Sequence, residues 1–291
     1  MEAMSTISCI VDGQQRTNAI VEFIDDCFAV DGKFYKDLSE RDKSEFLKYE
    51  VAVIELDLEN NDPKVQEIFQ RINRTSNSLT TIEKMASEYS TSYFMLVAKL
   101  LADQIDLDRS GLDDFREDPN IPDEFYVWAK SKKVSKFNQL VTKKGVFTPR
   151  EISRKVHLMH VLNIMSSFLL GFYNRNEKAM ENLNDYAEVF SERDEVVDVL
   201  EKAADVVLKL RFKSKSYFLN KANIYSLIVA VAQAIREGCR IDVDSLRSEL
   251  DKFEADLPDE YKLAAAEAVN STRARQLRNT YISPIVRQAT N

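Results

Sequence analysis

Apolar residues change their spacing once along this chain. Up to residue 58, short β-rich runs alternate with amphipathic ones. From residue 80 the apolar positions recur every three or four residues almost to the end. In the first part, Ile7–Val11 followed by the amphipathic stretch Ile20–Phe28 predicts a strand, a tight turn and a helix. Phe28–Val30 and Lys33–Tyr35 flank Asp31-Gly32, a hairpin signal. Ser39 reads as the N-cap of a helix over 40–49. Tyr49–Leu58 reads as a strand, and Asp62-Pro63 opens a helix that carries Phe69 and Arg71.

In the second part, Ile82, Met85, Ala86, Tyr89, Tyr93, Val97 and Leu100 form one helical stripe. Thr80 and Glu83 have capping-box spacing, which gives Glu83 a structural role. Residues 103–147 are charged and broken by Pro119 and Pro122, so they predict short helices in a connector. Thr148-Pro149-Arg150-Glu151 combines a cap, a first-position proline and a capping glutamate, a helix start. Val196, Leu200, Ala203, Val207 and Leu210 make a further stripe. Residues 217–236 are apolar nearly all round, which places that helix centrally. Pro258-Asp259-Glu260 starts the next helix, and Ser271 or Thr272 caps the last.

Composition narrows the class. Of 291 residues, 44% are apolar and 30% charged, which suits a soluble globule; six glycines and six prolines are too few for a fold rich in tight β-turns. A net charge of −8 argues against a generally basic nucleic-acid coat and leaves room for a local basic patch. Cys9, Cys27 and Cys239 are odd in number and far apart, which predicts a reducing cytoplasm, no disulfide framework and no metal motif. The first residues lack the pattern of a signal peptide. The most apolar run, Ile224–Ile235, is too short for a bilayer, and Val156–Tyr173 contains two histidines, Asn163 and two serines, so no membrane association is expected.

The chemistry concentrates at Asp12-Gly13-Gln14-Gln15-Arg16, the predicted strand-to-helix corner. A helix start offers unpaired N–H groups and the positive end of the dipole, an anion site. Gly13 lets a phosphate approach the backbone; Gln14, Gln15 and Arg16 bring amide and guanidinium donors. Asp12 is the one carboxylate, suited to Mg²⁺ or to an attacking water. The same five residues also read as an N-capping Asp12 with a solvated first turn.

Two further strings accompany the corner: Glu67-Ile68-Phe69-Gln70-Arg71-Ile72-Asn73-Arg74, then Ser78-Leu79-Thr80-Thr81-Ile82-Glu83-Lys84-Met85-Ala86. In this order and spacing, over about residues 7–90, the three strings resemble the N-terminal domain of the GmrSD-type restriction enzymes, whose core is similar to the ParB/sulfiredoxin-like fold. The resemblance implies an α+β, mostly helical protein. It would comprise a ParB/sulfiredoxin-like nucleotide-binding domain over 1–100, the connector 101–147 and an all-helical domain over 148–291. It implies an NTP-hydrolysing protein of a restriction or anti-phage system that senses or cuts DNA, with a nuclease partner encoded elsewhere. Carried over residue by residue, Arg16 and the helix-start amides would hold the phosphates. Gln14 or Gln15 would orient the water, and Asp12 would hold Mg²⁺ or polarise that water. Gly13 would admit the phosphates, and Arg71 and Asn73 rank second as nucleotide contacts. There are two departures. Relatives carry a P-x-Y-Q-R-x-Y-x-W segment ahead of the corner that the residues before Asp12 do not contain, so part of the family's site is expected to be missing. Many also add a histidine-rich HNH nuclease domain, and this chain has only His157 and His160.

Outside the resemblance, His157 and His160 stand one turn apart with no third metal ligand near them, as core or boundary histidines do. Lys130, Lys132, Lys133, Lys136, Lys143 and Lys144, interleaved with Trp128 and Phe137, read either as a DNA-backbone contact or as a solvated face. Arg273, Arg275 and Arg278 open the last helix and read as carboxylate partners; the resemblance would instead have them close over the N-terminal domain. There is no Walker-type phosphate loop, G-x-S-x-G elbow, CxxC pair or H-E-x-x-H string. Three functions stand: a nucleotide-binding NTPase of a defence system, a non-catalytic DNA- or partner-binding module, and a metal-dependent nuclease of ParB-like type.

Overall fold

A computed structural model describes residues 10–58, 62–65, 67–68, 79–105, 107 and 121–290. The chain forms two compact units, 1–78 and 79–291.

In the first unit, α1 (Gln14–Ile24) and α2 (Glu40–Leu47) flank a single 3₁₀ turn at Tyr35–Asp37. Ser39 caps α2 as its sequence requires, its hydroxyl accepting the Asp42 amide at 3.2 Å. Phe23 is buried, and its ring meets Phe28, Tyr35 and Phe46 at centroid distances of 5.8, 5.9 and 5.5 Å. This aromatic knot, not a sheet, holds the described part of the unit together.

The expected strands are corrected here. The hairpin at Asp31-Gly32 is a single antiparallel bridge, Val30 to Lys33, turned by two residues with φ of 51° and 77°. That is the left-handed pair a type I′ turn demands. Ile10 and Val11 are not in a strand, and Ile7–Cys9 lie outside the described residues. Val51–Leu58 runs without regular structure, with Val53 79% and Ile54 87% exposed. A β-rich run becomes a strand only against a neighbour, and none of the described residues ladders with it. The described chain is therefore mostly helical, and its described residues do not display a ParB/sulfiredoxin-like α+β part.

The second unit is all-helical among its described residues, apart from one bridge between Ile241 and Thr290. It begins with α3 (Thr81–Glu88) and α4 (Tyr93–Leu101), not after residue 100 as expected. The reason is burial: Ile82, Met85, Ala86 and all of α4 from Phe94 to Leu101 lie in its core. Described parts of the supposed connector also supply core residues. In α5 (Asp123–Lys130) and α6 (Ser135–Thr142), Phe125, Tyr126, Phe137, Leu140 and Val141 are buried; residues 106 and 108–120 are outside the described set. Charge and prolines marked the surface face of these helices and hid the apolar one.

Then come α7 (Pro149–Ser153), α8 (Val156–Leu170), α9 (Glu177–Asp185), α10 (Arg193–Lys209), α11 (Lys221–Arg236), α12 (Val243–Ala255), α13 (Asp259–Ala266) and α14 (Thr272–Gln288). The reciprocal capping boxes at Thr80–Glu83 and Thr148–Glu151 both form. Ser271, rather than Thr272, caps α14. As its all-round apolarity predicts, α11 is the axis of the unit, packed by α8, α10, α13 and α14. The stripe from Val196 to Leu210 is buried along α10.

Candidate functional site

The Asp12–Arg16 corner sits at the start of α1. Gly13, not Asp12, is the N-cap, at φ 96° and ψ 0°, a left-handed conformation that glycine adopts without Cβ strain. A glycine cap brings no capping side chain, and the first turn contains no acidic residue. Among the described residues, Asp12 is the carboxylate next to the positive end of the helix. Arg16 folds back over Gly13, its guanidinium 3.5 Å from where a Cβ would stand, and pairs with Asp12 Oδ2 at 3.2 Å. Both partners are open to solvent, at 78% and 46% side-chain exposure, so the pair is a surface i,i+4 contact worth about 0.3–0.5 kcal/mol. An anion with two or more charges can displace it. Gln14 and Gln15 are exposed beside it. The five corner residues are therefore together and accessible, whereas Arg71 and Asn73 lie outside the described residues. Glu83 belongs to its capping box and to an ion pair with Arg154 at 3.3 Å.

The lysine cluster divides. Lys130, Lys133, Lys136, Lys143 and Lys144 are exposed. Lys132 is largely covered and paired with Asp194 and Asp198 of α10. The neighbouring backbone amides of Lys136 and Phe137 donate to Glu201 at 3.0 and 2.9 Å. Acids of α10 thus border the basic face.

The feature that sequence reading missed lies inside the second unit. Arg275 and Arg278 are each only 1% exposed, and neither pairs with a carboxylate of the described residues. Arg275 donates to the Tyr173 carbonyl at 3.1 Å and to Asn163 Oδ1 at 3.0 Å, and stacks on the rings of Tyr173 and Tyr225. Arg278 donates to Ser226 Oγ and to the carbonyls of Ala264 and Val269 at 2.9, 2.5 and 2.9 Å. This corrects the carboxylate pairing expected of both. Arg273 is exposed. The signal was present in the spacing: residues 275, 278, 282 and 286 share one face of α14, and Ile282 and Val286 are core residues. Asn163 is the hub of the network. It also accepts from Tyr173 Oη at 2.8 Å and donates to Asn176 at 3.0 Å. Burial pushes the Tyr173, Tyr225 and Tyr261 hydroxyls up and lowers Arg278 to about 10.

The histidines are packing residues, as expected. His157 is buried with Nε2 3.1 Å from the Ala102 carbonyl, and His160 packs between Phe147 and Tyr225. Burial first, and then the Arg275 charge, lowers His160 to about 3, so it is neutral at physiological pH. Among the described residues no group of three or more histidine, cysteine or acidic side chains is placed to hold a metal. Nor is any described helix long and apolar enough to cross a membrane. Cys27 and Cys239 are free thiols. Comparison of the chain with family models, with curated proteins and with solved structures found no match.

Proposed function

We propose that the first unit is a nucleotide-handling module that takes the phosphates of a nucleoside triphosphate at the Asp12–Arg16 corner and hydrolyses it. On this reading it has a ParB/sulfiredoxin-like core and works in a cytoplasmic DNA restriction or phage-defence system, alongside a separately encoded nuclease. The observation that carries the reading is the left-handed Gly13 at the start of α1 with an exposed Arg16 folded over it. A glycine cap, a helix start with no acidic residue in its first turn and a displaceable guanidinium are what a phosphate cradle requires. Gly13 admits the phosphate oxygens to the backbone, and Arg16 exchanges Asp12 for them. Asp12, released by that exchange, becomes available to the water that Gln14 or Gln15 orients. Mg²⁺ is commonly held by one or two carboxylates together with substrate phosphates, and Asp12 is the single carboxylate the corner offers. When bound, the ion would neutralise charge on the phosphates. Arg71 and Asn73 are proposed as additional nucleotide contacts.

The test is equilibrium binding and turnover of ATP and GTP with Mg²⁺ by the purified chain. Arg16→Ala is expected to weaken binding by at least about tenfold. Asp12→Ala is expected to keep binding and lose phosphate release. Wild type and both variants behaving alike overturns the reading.

A second reading, a non-catalytic DNA-binding module, draws on the exposed lysines 130, 133, 136, 143 and 144. Salt-dependent DNA binding without nucleotide turnover, lost when these five are neutralised, would favour it.

A further inference from the structure

Three helices of the second unit meet with their polar residues facing inward. α8 brings His160, Asn163 and Ser167 at helical spacing. α11 brings Tyr225 and Ser226, and α14 brings Arg275 and Arg278. Ser167 and Tyr225 share a short hydroxyl contact, and both His160 and Arg275 pack on the Tyr225 ring, the latter at 4.9 Å. Two guanidinium charges are therefore enclosed among aromatic rings and neutral acceptors, with no carboxylate of the described residues paired to either. Buried charges are ordinarily paired.

The same junction contains two buried nitrogens without a hydrogen-bond partner, Arg275 Nε and His160 Nε2. Arginine Nε always carries hydrogen, so it requires an acceptor; neutral His160 supplies a second donor as its Nε2–H tautomer. Every other guanidinium nitrogen in the cluster is engaged.

We infer that the junction of α8, α11 and α14 binds one small, weakly hydrated monovalent anion, of which chloride is the abundant cellular example, between Arg275 Nε–H and His160 Nε2–H. The donor count sets the class. A phosphate or sulfate brings several oxygens that each need a donor, and of this junction's nitrogens only Arg275 Nε and His160 Nε2 lack any partner. A water molecule satisfies both nitrogens but leaves the two positive charges unbalanced. A halide accepts from both nitrogens and offsets one of the two charges.

The experiment uses the full chain. Thermal unfolding is followed against sodium bromide, with sodium gluconate at equal ionic strength as the control. Crystals grown in bromide are examined for anomalous scattering. Bromide is expected to raise the melting temperature saturably where gluconate does not, with an anomalous peak in hydrogen-bond reach of both nitrogens. His160→Phe keeps the ring packing and removes one donor, and is expected to raise the half-saturating bromide concentration by at least about tenfold. Arg275→Lys is expected to abolish the response; should that variant not fold, the wild-type and His160→Phe results decide. Equal melting curves in bromide and gluconate, a bromide response unchanged by His160→Phe, or a water at that position in bromide-grown crystals overturns the inference.

Discussion

Trp128 Nε1–H donates to Asp194 Oδ1 at 3.0 Å, and the Lys132 ammonium pairs with the same carboxylate oxygen. Lys132, a residue of the basic cluster in the loop after α5, is thereby a strut to α10. Asp198 stands 3.5 Å from the same ammonium, and the Arg193 guanidinium lies 4.6 Å over the Trp128 ring. Lys132→Ala should therefore lower stability by about 0.5–1.5 kcal/mol, since the lysine is largely covered while its acidic partners remain hydrated. Urea denaturation checks this. DNA affinity, where measurable, should be no lower than wild type.

The same contact predicts a pH dependence. Hydrogen bonds from Lys132 and then from Trp128 hold the Asp194 carboxyl below its ordinary range. A carboxyl whose folded pKa lies below its unfolded one contributes stability above the unfolded value, near about 4, and loses it as pH falls through the folded value. The stability difference between wild type and Asp194→Asn should thus be constant from about pH 5 upward and shrink below about pH 4. A difference that grows on acidification would refute the assignment.

At the corner, Gly13→Ala isolates backbone from contact. A Cβ there would meet Arg16 at 3.5 Å, ordinary van der Waals distance, so crowding is not the obstacle. The φ of 96° is. Alanine in a left-handed conformation costs about 1–2 kcal/mol, and asparagine less. Gly13→Ala should accelerate amide exchange at the start of α1, with Gly13→Asn intermediate; equal exchange in all three would deny the strain.

These variants also mark how far the sequence could be read. Local rules held wherever the determinants are neighbours in the chain. Thr80 with Glu83, Thr148 with Glu151 and Ser39 with Asp42 all cap as their spacing requires, and the apolar wrap of α11 did mark the central helix. Non-local determinants were lost. Val51–Leu58 has β-composition, but a strand also needs a partner, which composition cannot supply. Helices α5 and α6 looked like connector because each is only eight residues long and the stretch around them is charged and broken by Pro119 and Pro122, which hid the apolar face that Phe125 and Phe137 anchor. Arg275 and Arg278 looked like carboxylate partners, since arginine is almost never fully buried unless paired; only their register with Ile282 and Val286 spoke otherwise. Of the candidate site, the corner's grouping was legible from adjacency alone, while the conformation of Gly13 was not.

Register with the core also separates the three arginines that open α14. Arg278 hydrogen-bonds Ser226 and two carbonyls through all three nitrogens, and burial lowers it to about 10. Arg278→Ala leaves those acceptors unpaired and a void beside α11, and should cost about 3–5 kcal/mol. Exposed Arg273→Ala should stay within about 0.5 kcal/mol of wild type. Denaturant midpoints for the two variants decide this, and similar losses would mean that Arg278 is not the anchor its geometry indicates.

The division after Ser78 makes the broadest claim about folding. Every residue of the main buried cluster, from Ile82 to Ala289, belongs to the second unit, and α3 opens with its own capping box at Thr80. Its helix starts at Thr148, Asn220, Asp242 and Ser271 are capped by side chains within the same unit. A domain of this size with its own core and caps has what independent folding requires. A chain starting at Leu79 should therefore unfold cooperatively, with the denaturant slope of a domain of that length, and limited proteolysis of the full chain should leave this piece intact. A truncated chain that populates only a molten state, with secondary structure but no near-ultraviolet circular dichroism, would mean that residues before Leu79 complete the core.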